Sequence, residues 1–570
     1  MNKSITTIIF IGIIYSILSF FILPKQVFFS GDNASKFIQI QNLIKHNWKK
    51  LHIEYPGEYL DQEHNHFPIR VPTFYEKNHK FYFIFPLSFS FLSSFFYYFM
   101  GFSGLYLLPL ISSTLTIYLI FKFFQLSNKI DSLFLIVVAG LCSPIFFYGV
   151  VFWEHSVAML LSFWAFFLFF KSQERDSLRI FISGLIFGIS IWFRLEVLFF
   201  FIATILSYFL FDNSNYNKKI LNLIIISSGF AFSIFPLLYF NYTVFGNFTG
   251  AHASVNFSLL YEGKSILYFV NTKIKETYHL LFDSGVSRNV NLTFLFLSFV
   301  LFFLNIISKL RKFNKIIIGI LALTLLYSIY IASLCYFSRI IGLLVTSPFI
   351  LIIFLDISNL IKKQRYHRIN LLFFTSLFYL LFLLTPPGFG DKQWGPRFLL
   401  CIYPLLIILS FHAYYNLKYL NFNPKYINFV KSIFILFCII SFSIQCIGIY
   451  KTFHDKNITF KEITALKNLN SQIIITDVWW LPQEAASIFY KKCFFWIRSS
   501  QHLHNLLSNF KKKGVDNFIF TTSLAPTSKE NIARTLDFNY YKIIRKYGYF
   551  RNKAVFISDK FENSLFIYKN

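Results

Sequence analysis

The chain has 570 residues, of which 55% are hydrophobic and only 14% are charged, and its mean hydropathy is +0.54. This balance excludes an ordinary soluble globular protein, and basic loops on one side of a membrane explain the formal net charge of +28. No basic stripe with interleaved aromatic residues lies outside the apolar runs, so we expect no nucleic-acid partner.

Thirteen membrane spans are predicted, because apolar runs close to the length that a helix needs to cross the hydrocarbon recur from Thr6 to Tyr450. The first run has Lys3 before it and no small-residue cleavage site after it, which predicts a retained anchor rather than a signal peptide. With thirteen spans the basic clusters between them fall on the side of Lys3, so we expect a cytoplasmic amino terminus and an extracytoplasmic carboxyl terminus. The predicted spans are residues 5–24, 104–124, 132–150, 156–170, 180–193, 196–211, 220–240, 291–308, 316–335, 340–360, 369–386, 398–416 and 430–450.

Two apolar stretches decide this number. The run Phe81–Phe102 could cross, but a crossing there would put the later basic clusters outside, so we predict a juxtamembrane or re-entrant helix broken at Pro86. The run Ile180–Phe211 has basic loops at both ends and must cross an even number of times. We therefore predict a hairpin that turns at Arg194-Leu195-Glu196, where the charged pair can face a polar cavity.

Three outer loops carry most of the polar residues. The first, Lys25–Lys80, contains Ser30-Gly31-Asp32 near its start, which places Asp32 just beyond the first span. With the juxtamembrane helices, this outer region covers residues 25–103. The second loop is Asn241–Asn291, and the third, Pro386–Arg397, is short.

The pattern changes after Tyr450, where short apolar strands and one amphipathic helix replace the long runs. The expected strands are Gln472–Asp477, Asn517–Thr521, Ala554–Ser558 and Ser564–Tyr568, with the helix at His502–Lys513. The predicted fold class is an α-helical polytopic membrane protein, residues 1–450, with a small extracytoplasmic α/β domain, residues 451–570.

Four local patterns share an outer placement and follow one another in a characteristic order. They are Gly31-Asp32 after the first span, the glycine-containing Ser183–Gly188 leading to Arg194-Leu195-Glu196, Asn241 with Phe245-Gly246-Asn247, and Trp394-Gly395-Pro396-Arg397-Phe398-Leu399-Leu400. Together they resemble the GT-C superfamily of membrane glycosyltransferases, particularly the branch of bacterial aminoarabinose transferases and protein mannosyltransferases. The resemblance covers roughly residues 1–450. Leu195 stands where the family has proline, and Asn33 and Ala34 stand where many members have a second acid.

The resemblance implies an inverting glycosyltransferase that moves a sugar from a polyprenyl-phosphate donor to a lipid, glycan or protein acceptor. Its active site would lie on the periplasmic face of a bacterial inner membrane. Asp32 is the implied base for the acceptor proton. The cations expected to bind the donor phosphate are Arg194, Arg397, Arg339 and Lys80. The residues expected to line the substrate cavity are Glu54, Glu58, Glu154, His155, Glu196 and Asn241.

Each of these assignments has a structural alternative. Asp32 could instead cap a helix that starts near Ala34, and Arg194 could form a structural pair with Glu196. The polar cluster from Glu54 to His66 could be a solvated loop rather than an acceptor site or a divalent-cation site. Within it, His64 and His66 would share a face only on an extended segment.

Three other functions are compatible with parts of the sequence. A glycan polymerase or ligase that uses a polyprenyl-diphosphate-linked oligosaccharide would need similar residues. A transporter or flippase is disfavoured, since two related halves are not detectable in the sequence. A structural or assembly protein would need neither Asp32 nor the arginines. No cofactor is certain, a divalent cation is possible, and the expected partners are the lipid-linked donor, the acceptor and membrane lipids.

Overall fold

The computed structural model describes residues 3–127, 132–171, 176–284, 293, 296–298, 300, 314–335, 341–361, 367–383, 392–417, 424–523, 540–557 and 561–569. Its contacts divide the chain into two compact units. The first, here called the helical unit, comprises Met1–Leu23, Pro86–Phe89 and Ser103–Thr452. The second, here called the sheet unit, comprises Pro24–Phe85, Ser90–Phe102 and Phe453–Asn570.

Most of the described chain is helical. The helices are α1 (Lys3–Ile17), α2 (Gly31–Lys45), α3 (Leu87–Met100), α4 (Leu107–Ser127), α5 (Leu133–Leu141), α6 (Pro144–Val150), α7 (His155–Lys171), α8 (Ser177–Ile191), α9 (Val197–Phe211), α10 (Tyr216–Phe245), α11 (Gly250–Tyr261), α12 (Ile266–Phe282), α13 (Asn314–Leu334), α14 (Leu343–Thr346), α15 (Ile353–Ile361), α16 (His367–Phe382), α17 (Tyr403–Asn416), α18 (Pro424–Asn468), α19 (Leu481–Glu484) and α20 (Ser500–Lys512). The strands are β1 (Phe74–Lys77), β2 (Lys80–Phe83), β3 (Ile473–Thr476), β4 (Cys493–Trp496), β5 (Asn517–Ser523), β6 (Tyr549–Ile557) and β7 (Phe561–Tyr568).

Within the described residues, six helical segments are long and apolar enough to cross a membrane, so the protein is an integral membrane protein. They are Lys3–Ile22, Leu87–Gln125, Tyr216–Phe245, Ile316–Leu334, Arg397–Asn416 and Pro424–Asn468. Helices α5 and α6, bent by 56° at their junction, bring the number to seven if they form one broken span. The exact count of thirteen is not established, because several predicted spans are apolar helices of only 10–17 residues and residues 291–308 lie largely outside the described chain.

The predicted helical hairpin is confirmed, and the predicted break at Pro86 is wrong. Helix α8 ends at Ile191 and α9 begins at Val197, so the turn contains Arg194 and Glu196 as expected. By contrast, Phe81 belongs to strand β2, and Pro86 directly precedes α3 instead of interrupting a helix. Proline lacks an amide hydrogen and restricts the preceding residue to extended conformations, so it separates a strand from a helix here.

Helices α8 and α10 pack closely because glycines lie where their backbones meet. A Cβ atom on Gly184 would overlap the carbonyl oxygen of Ile226, and one on Gly229 would overlap that of Phe181. Gly184 and Gly188 are four residues apart, a spacing that lets helices in lipid approach at backbone distance. The glycine-containing segment before Arg194 therefore fixes the position of α8 on α10.

We predict that Gly184→Ala destabilises the helical unit by about 1–3 kcal/mol, because the added methyl group has no space between α8 and α10. Gly319→Ala is the matched control, since no described atom lies within 4 Å of the Cβ position at Gly319 on α13. Thermal unfolding of both variants in detergent, followed by intrinsic fluorescence, measures the effect. Equal unfolding temperatures for the two variants would contradict the close packing.

The sheet unit contains a two-stranded hairpin and a five-stranded sheet. Strands β1 and β2 pair antiparallel, and the larger sheet has the order β4-β3-β5-β7-β6 with a parallel β4-β3-β5 core. The predicted strands near Gln472, Asn517, Ala554 and Ser564 are present, as is the helix at Ser500–Lys512. The sequence did not predict β4, and α18 continues to Asn468 instead of ending near Tyr450.

The first outer loop packs against strand β4 within the sheet unit. The backbone amide of Trp496 donates to the carbonyl of His66 at 3.0 Å, and the Cys493 thiol donates to the carbonyl of Pro56 at 3.3 Å. Gly57 lies against the ring of Phe495, where a Cβ atom would come within 2.8 Å of it. The loop thus covers β4, the strand at one edge of the sheet. The domain boundary predicted at residue 450 stays a prediction.

Candidate active site

Asp32 lies in the first turn of α2, and Ser30 occupies the N-cap position of that helix. The amide of Ala34 donates to the Ser30 carbonyl at 3.1 Å, so the helix starts earlier than the alternative of an Asp32 cap requires. That alternative is wrong. Asp32 is half-buried, and the positive end of the helix dipole favours a carboxylate at this position.

The carboxyl-terminal part of the sheet unit holds α2 in place. Gln483 Nε2 donates to Ser35 Oγ at 3.0 Å and lies 3.4 Å from Thr73 Oγ1. One turn beyond Asp32, the buried Lys36 places its ammonium group 4.8 Å from the ring centroid of Phe85. Gly31 leaves room for the side chain of Gln483, since a Cβ atom on Gly31 would lie 2.9 Å from Gln483 Oε1. The position of Asp32 therefore depends on Gln483.

We predict that Gln483→Leu loosens the start of α2, because the substitution removes both hydrogen bonds and leaves the buried Ser35 hydroxyl without this donor. Hydrogen exchange measured by mass spectrometry should be faster by about 5- to 30-fold at residues 31–40, which corresponds to about 1–2 kcal/mol. Gln501→Leu is the control, because Gln501 is exposed and, among the described residues, bonds only to Asn505 on its own helix. Unchanged exchange in Gln483→Leu would show that this contact does not hold the helix.

Five of the predicted site residues come together in the helical unit. Arg194 lies in the turn between α8 and α9, where its Nε donates to Glu196 Oε1 at 2.7 Å and its Nη1 to Glu154 Oε1 at 3.0 Å. Glu154 directly precedes α7 and is completely buried, and Nδ1 of His155 lies 4.0 Å from its Oε1. The structural pairing of Arg194 and Glu196 that the sequence suggested is present, and Glu154 extends it to a buried triad.

Arg397 joins this group through aromatic rings. Its guanidinium carbon lies 4.8 Å from the ring centroid of Trp153 and 5.3 Å from that of Phe398, while the guanidinium carbon of Arg194 lies 5.4 Å from the Phe398 ring. Trp153 is fully buried, so its indole ring packs inside the protein rather than against lipid. Both arginines therefore contact the same phenylalanine ring, in a setting where guanidinium stacks favourably on aromatic faces.

The segment before Arg397 is anchored on both sides. Trp394 Nε1 donates to the carbonyl of Ile444 on α18 at 3.1 Å, and Gly448 provides the space for the indole. Tyr148 donates its hydroxyl hydrogen to the carbonyl of Gly395 at 3.2 Å. Gly395 has a φ of +74°, a conformation that residues with side chains rarely adopt. These contacts fix the backbone that carries the side chain of Arg397.

The other predicted residues lie elsewhere. Glu54 pairs with Lys45 Nζ at 2.8 Å and His46 Nε2 at 2.9 Å, and Glu58 and Lys80 are exposed, all three in the sheet unit. Asn241, near the end of α10, donates from Nδ2 to the carbonyl of Phe248 at 3.1 Å and closes the loop that follows. Arg339 lies outside the described residues.

The surroundings of Glu54 change its acidity. Partial burial alone would raise the pKa of the Glu54 carboxyl group, but the hydrogen bonds and positive charges of Lys45 and His46 hold that pKa below its usual value. The Glu54 carboxylate thus forms ion pairs with Lys45 and His46 near the surface. This pairing gives Glu54 a structural role in the junction between α2 and the following loop.

Neither a protein-family model nor a curated protein matches the chain. Among solved structures, the chain resembles ArnT from Cupriavidus metallidurans bound to undecaprenyl phosphate and the same protein in the apo state. Each comparison has a TM-score of 0.49 and 9% sequence identity, and covers 98% of this chain and 97% of that chain.

We predict that Arg194→Met destabilises the helical unit by about 3–5 kcal/mol, because it leaves the buried carboxylates of Glu154 and Glu196 without their cation. Arg179→Met should cost less than about 1 kcal/mol, since the Arg179–Asp176 pair is partly exposed. Thermal unfolding in detergent measures both.

A triple variant that removes all three charges, Arg194→Met with Glu154→Gln and Glu196→Gln, distinguishes the effect of unpaired carboxylates from the effect of lost side-chain packing. It should recover most of the stability, since no charged member of the triad remains. If Arg194→Met alone were as stable as the wild type, the triad would not hold the helical unit together.

Proposed function

We propose that the protein is a membrane glycosyltransferase of a bacterial inner membrane that takes a sugar from a polyprenyl-phosphate carrier. The observation that carries the proposal is the group formed by Arg397, Trp153, Arg194, Glu154 and Glu196 between the ends of apolar helices. A lipid phosphate is an anion attached to an apolar chain, so its site needs a cation within an otherwise apolar setting. Within this group, Arg397 on the rings of Trp153 and Phe398 is such a cation.

The two arginines have different parts in this proposal. The positive charge of Arg194 is already paired with two carboxylates. Its proposed role is therefore to hold Glu154 and Glu196 in place rather than to bind an added anion. Arg397 packs against the rings of Trp153 and Phe398, and its planar guanidinium group has the geometry to bind two phosphate oxygens at once. Arg397 is therefore the proposed clamp for the donor phosphate.

Asp32 is the proposed general base. In the reaction, the acceptor oxygen attacks the anomeric carbon of the sugar while the bond from that carbon to the phosphate oxygen breaks. The proton of the acceptor passes to the Asp32 carboxylate, and the polyprenyl phosphate leaves with the electron pair of the broken bond. A single displacement of this kind inverts the configuration at the anomeric carbon. The acceptor is proposed to be a lipid, glycan or protein group on the periplasmic face, with the sheet unit on that side.

We predict that Asp32→Asn lowers transfer of radiolabelled sugar by at least about 100-fold, because the amide cannot accept the proton. The assay uses the purified protein with a panel of polyprenyl-phosphate sugars, with and without chelator. Glu63→Gln is the control, since Glu63 is an exposed acid in the same outer loop and bonds only to Asn65 among the described contacts. Full transfer by Asp32→Asn would exclude Asp32 as the base, and failure of every donor with folded protein would contradict the proposed reaction.

A further inference from the structure

The β1–β2 hairpin and the loop before it bring three metal-ligating side chains together. Lys77 pairs with Lys80, which leaves a two-residue turn of Asn78 and His79 with φ values of +53° and +56°. Positive φ at both central residues is typical of the tight turn that suits the twist of a hairpin. One ligand atom each from His64, Glu76 and His79 lies within 4.8 Å of the other two.

His64 is the buried member of this group. Only 9% of its side chain is exposed, and within the described part of the chain its Nδ1 has no hydrogen-bond partner, while its Nε2 lies 3.4 Å from Oε1 of Glu58. Its ring packs against Phe81 with a centroid distance of 4.9 Å and lies 6.4 Å from the ring of His79. Buried polar atoms without partners are uncommon in folded proteins and call for a ligand or another explanation.

We propose that His64, Glu76 and His79 bind a divalent transition-metal ion of the Zn²⁺ type. Two imidazoles and one carboxylate form a known ligand set for zinc with one open position, whereas Mg²⁺ and Ca²⁺ prefer sites made of oxygen atoms alone. Zinc–nitrogen bonds of about 2.0–2.1 Å need ligand atoms about 3.4 Å apart. The side chains of Glu76 and His79 are 46% and 90% exposed, so they can rotate to bring the ligand atoms from within 4.8 Å of one another to the spacing that zinc needs.

A bound ion would connect the hairpin to the loop that contains His64. The carboxylate of Glu58 lies beside the site, with Oε1 3.4 Å from Nε2 of His64, and adds negative charge next to the cation. The ion would then stabilise the folded sheet unit in proportion to its concentration, as any ligand of the native state does. None of the three ligands is a residue proposed to act in glycosyl transfer, and the inference does not depend on that reaction.

The test is a Zn²⁺ titration of the full-length protein, purified in detergent without a polyhistidine tag and freed of metal by a chelator. Competition with a chromophoric chelator measures affinity, and elemental analysis measures stoichiometry. We expect one Zn²⁺ ion per chain, no competition by Mg²⁺, and an affinity at least about 10-fold weaker in His64→Ala and Glu76→Gln.

His79→Gly separates loss of a ligand from loss of the fold, since glycine accepts the positive φ of position 79 without strain. This variant should be at least as stable as the wild type without Zn²⁺, yet Zn²⁺ should no longer raise its unfolding temperature. Glu63→Gln and Asp32→Asn should respond to Zn²⁺ as the wild type does. Absence of Zn²⁺ binding by the folded wild type, or unchanged binding in His64→Ala and His79→Gly, would overturn the proposal.

Discussion

Arg194 lies between two carboxylates in a part of the molecule where most neighbours are apolar. Each of the three charges would be costly there by itself, so the cation and its partners Glu154 and Glu196 must be brought together as a set. The ion pairs of Arg194 connect the start of α7 to the turn between α8 and α9. The glycine contact of α8 with α10, through Gly184, fixes the helix that leads into this turn. The charged group and the glycine contact together fix how these four helices meet.

Periodicity and charge were enough to predict elements that lie within one stretch of sequence. The hairpin at Arg194 followed from the basic loops at its two ends, and the amphipathic helix after Ser500 followed from its apolar spacing. Strand β4 was missed because Cys493–Trp496 is only four residues long and has no polar alternation. The strand at Phe81 was missed because aromatic residues are equally compatible with a helix at a membrane surface.

The composition of the candidate site was partly predictable, but its contacts were not. Arg194 and Arg397 were selected because a guanidinium group at the outer end of a span can bind phosphate with two hydrogen bonds. Glu154 was selected because it lies at the start of another span, where it could line the cavity. The support of α2 by Gln483 joins residues 448 positions apart, and no local pattern signals such a contact. The hairpin turn was also hidden, because Asn78 is followed by His79 where glycine is the usual turn residue.

The cover of strand β4 by the first outer loop has a consequence for biosynthesis. Pro56 and Cys493, which form one of the hydrogen bonds across this edge, are 437 positions apart in the chain. At about 5–20 residues per second, a ribosome needs about 20–90 s to make the intervening chain. During that time the ring of Tyr55 is already synthesised but lacks its contact with Phe495 on β4. The sheet unit therefore cannot finish folding until the carboxyl-terminal part of the chain has been made.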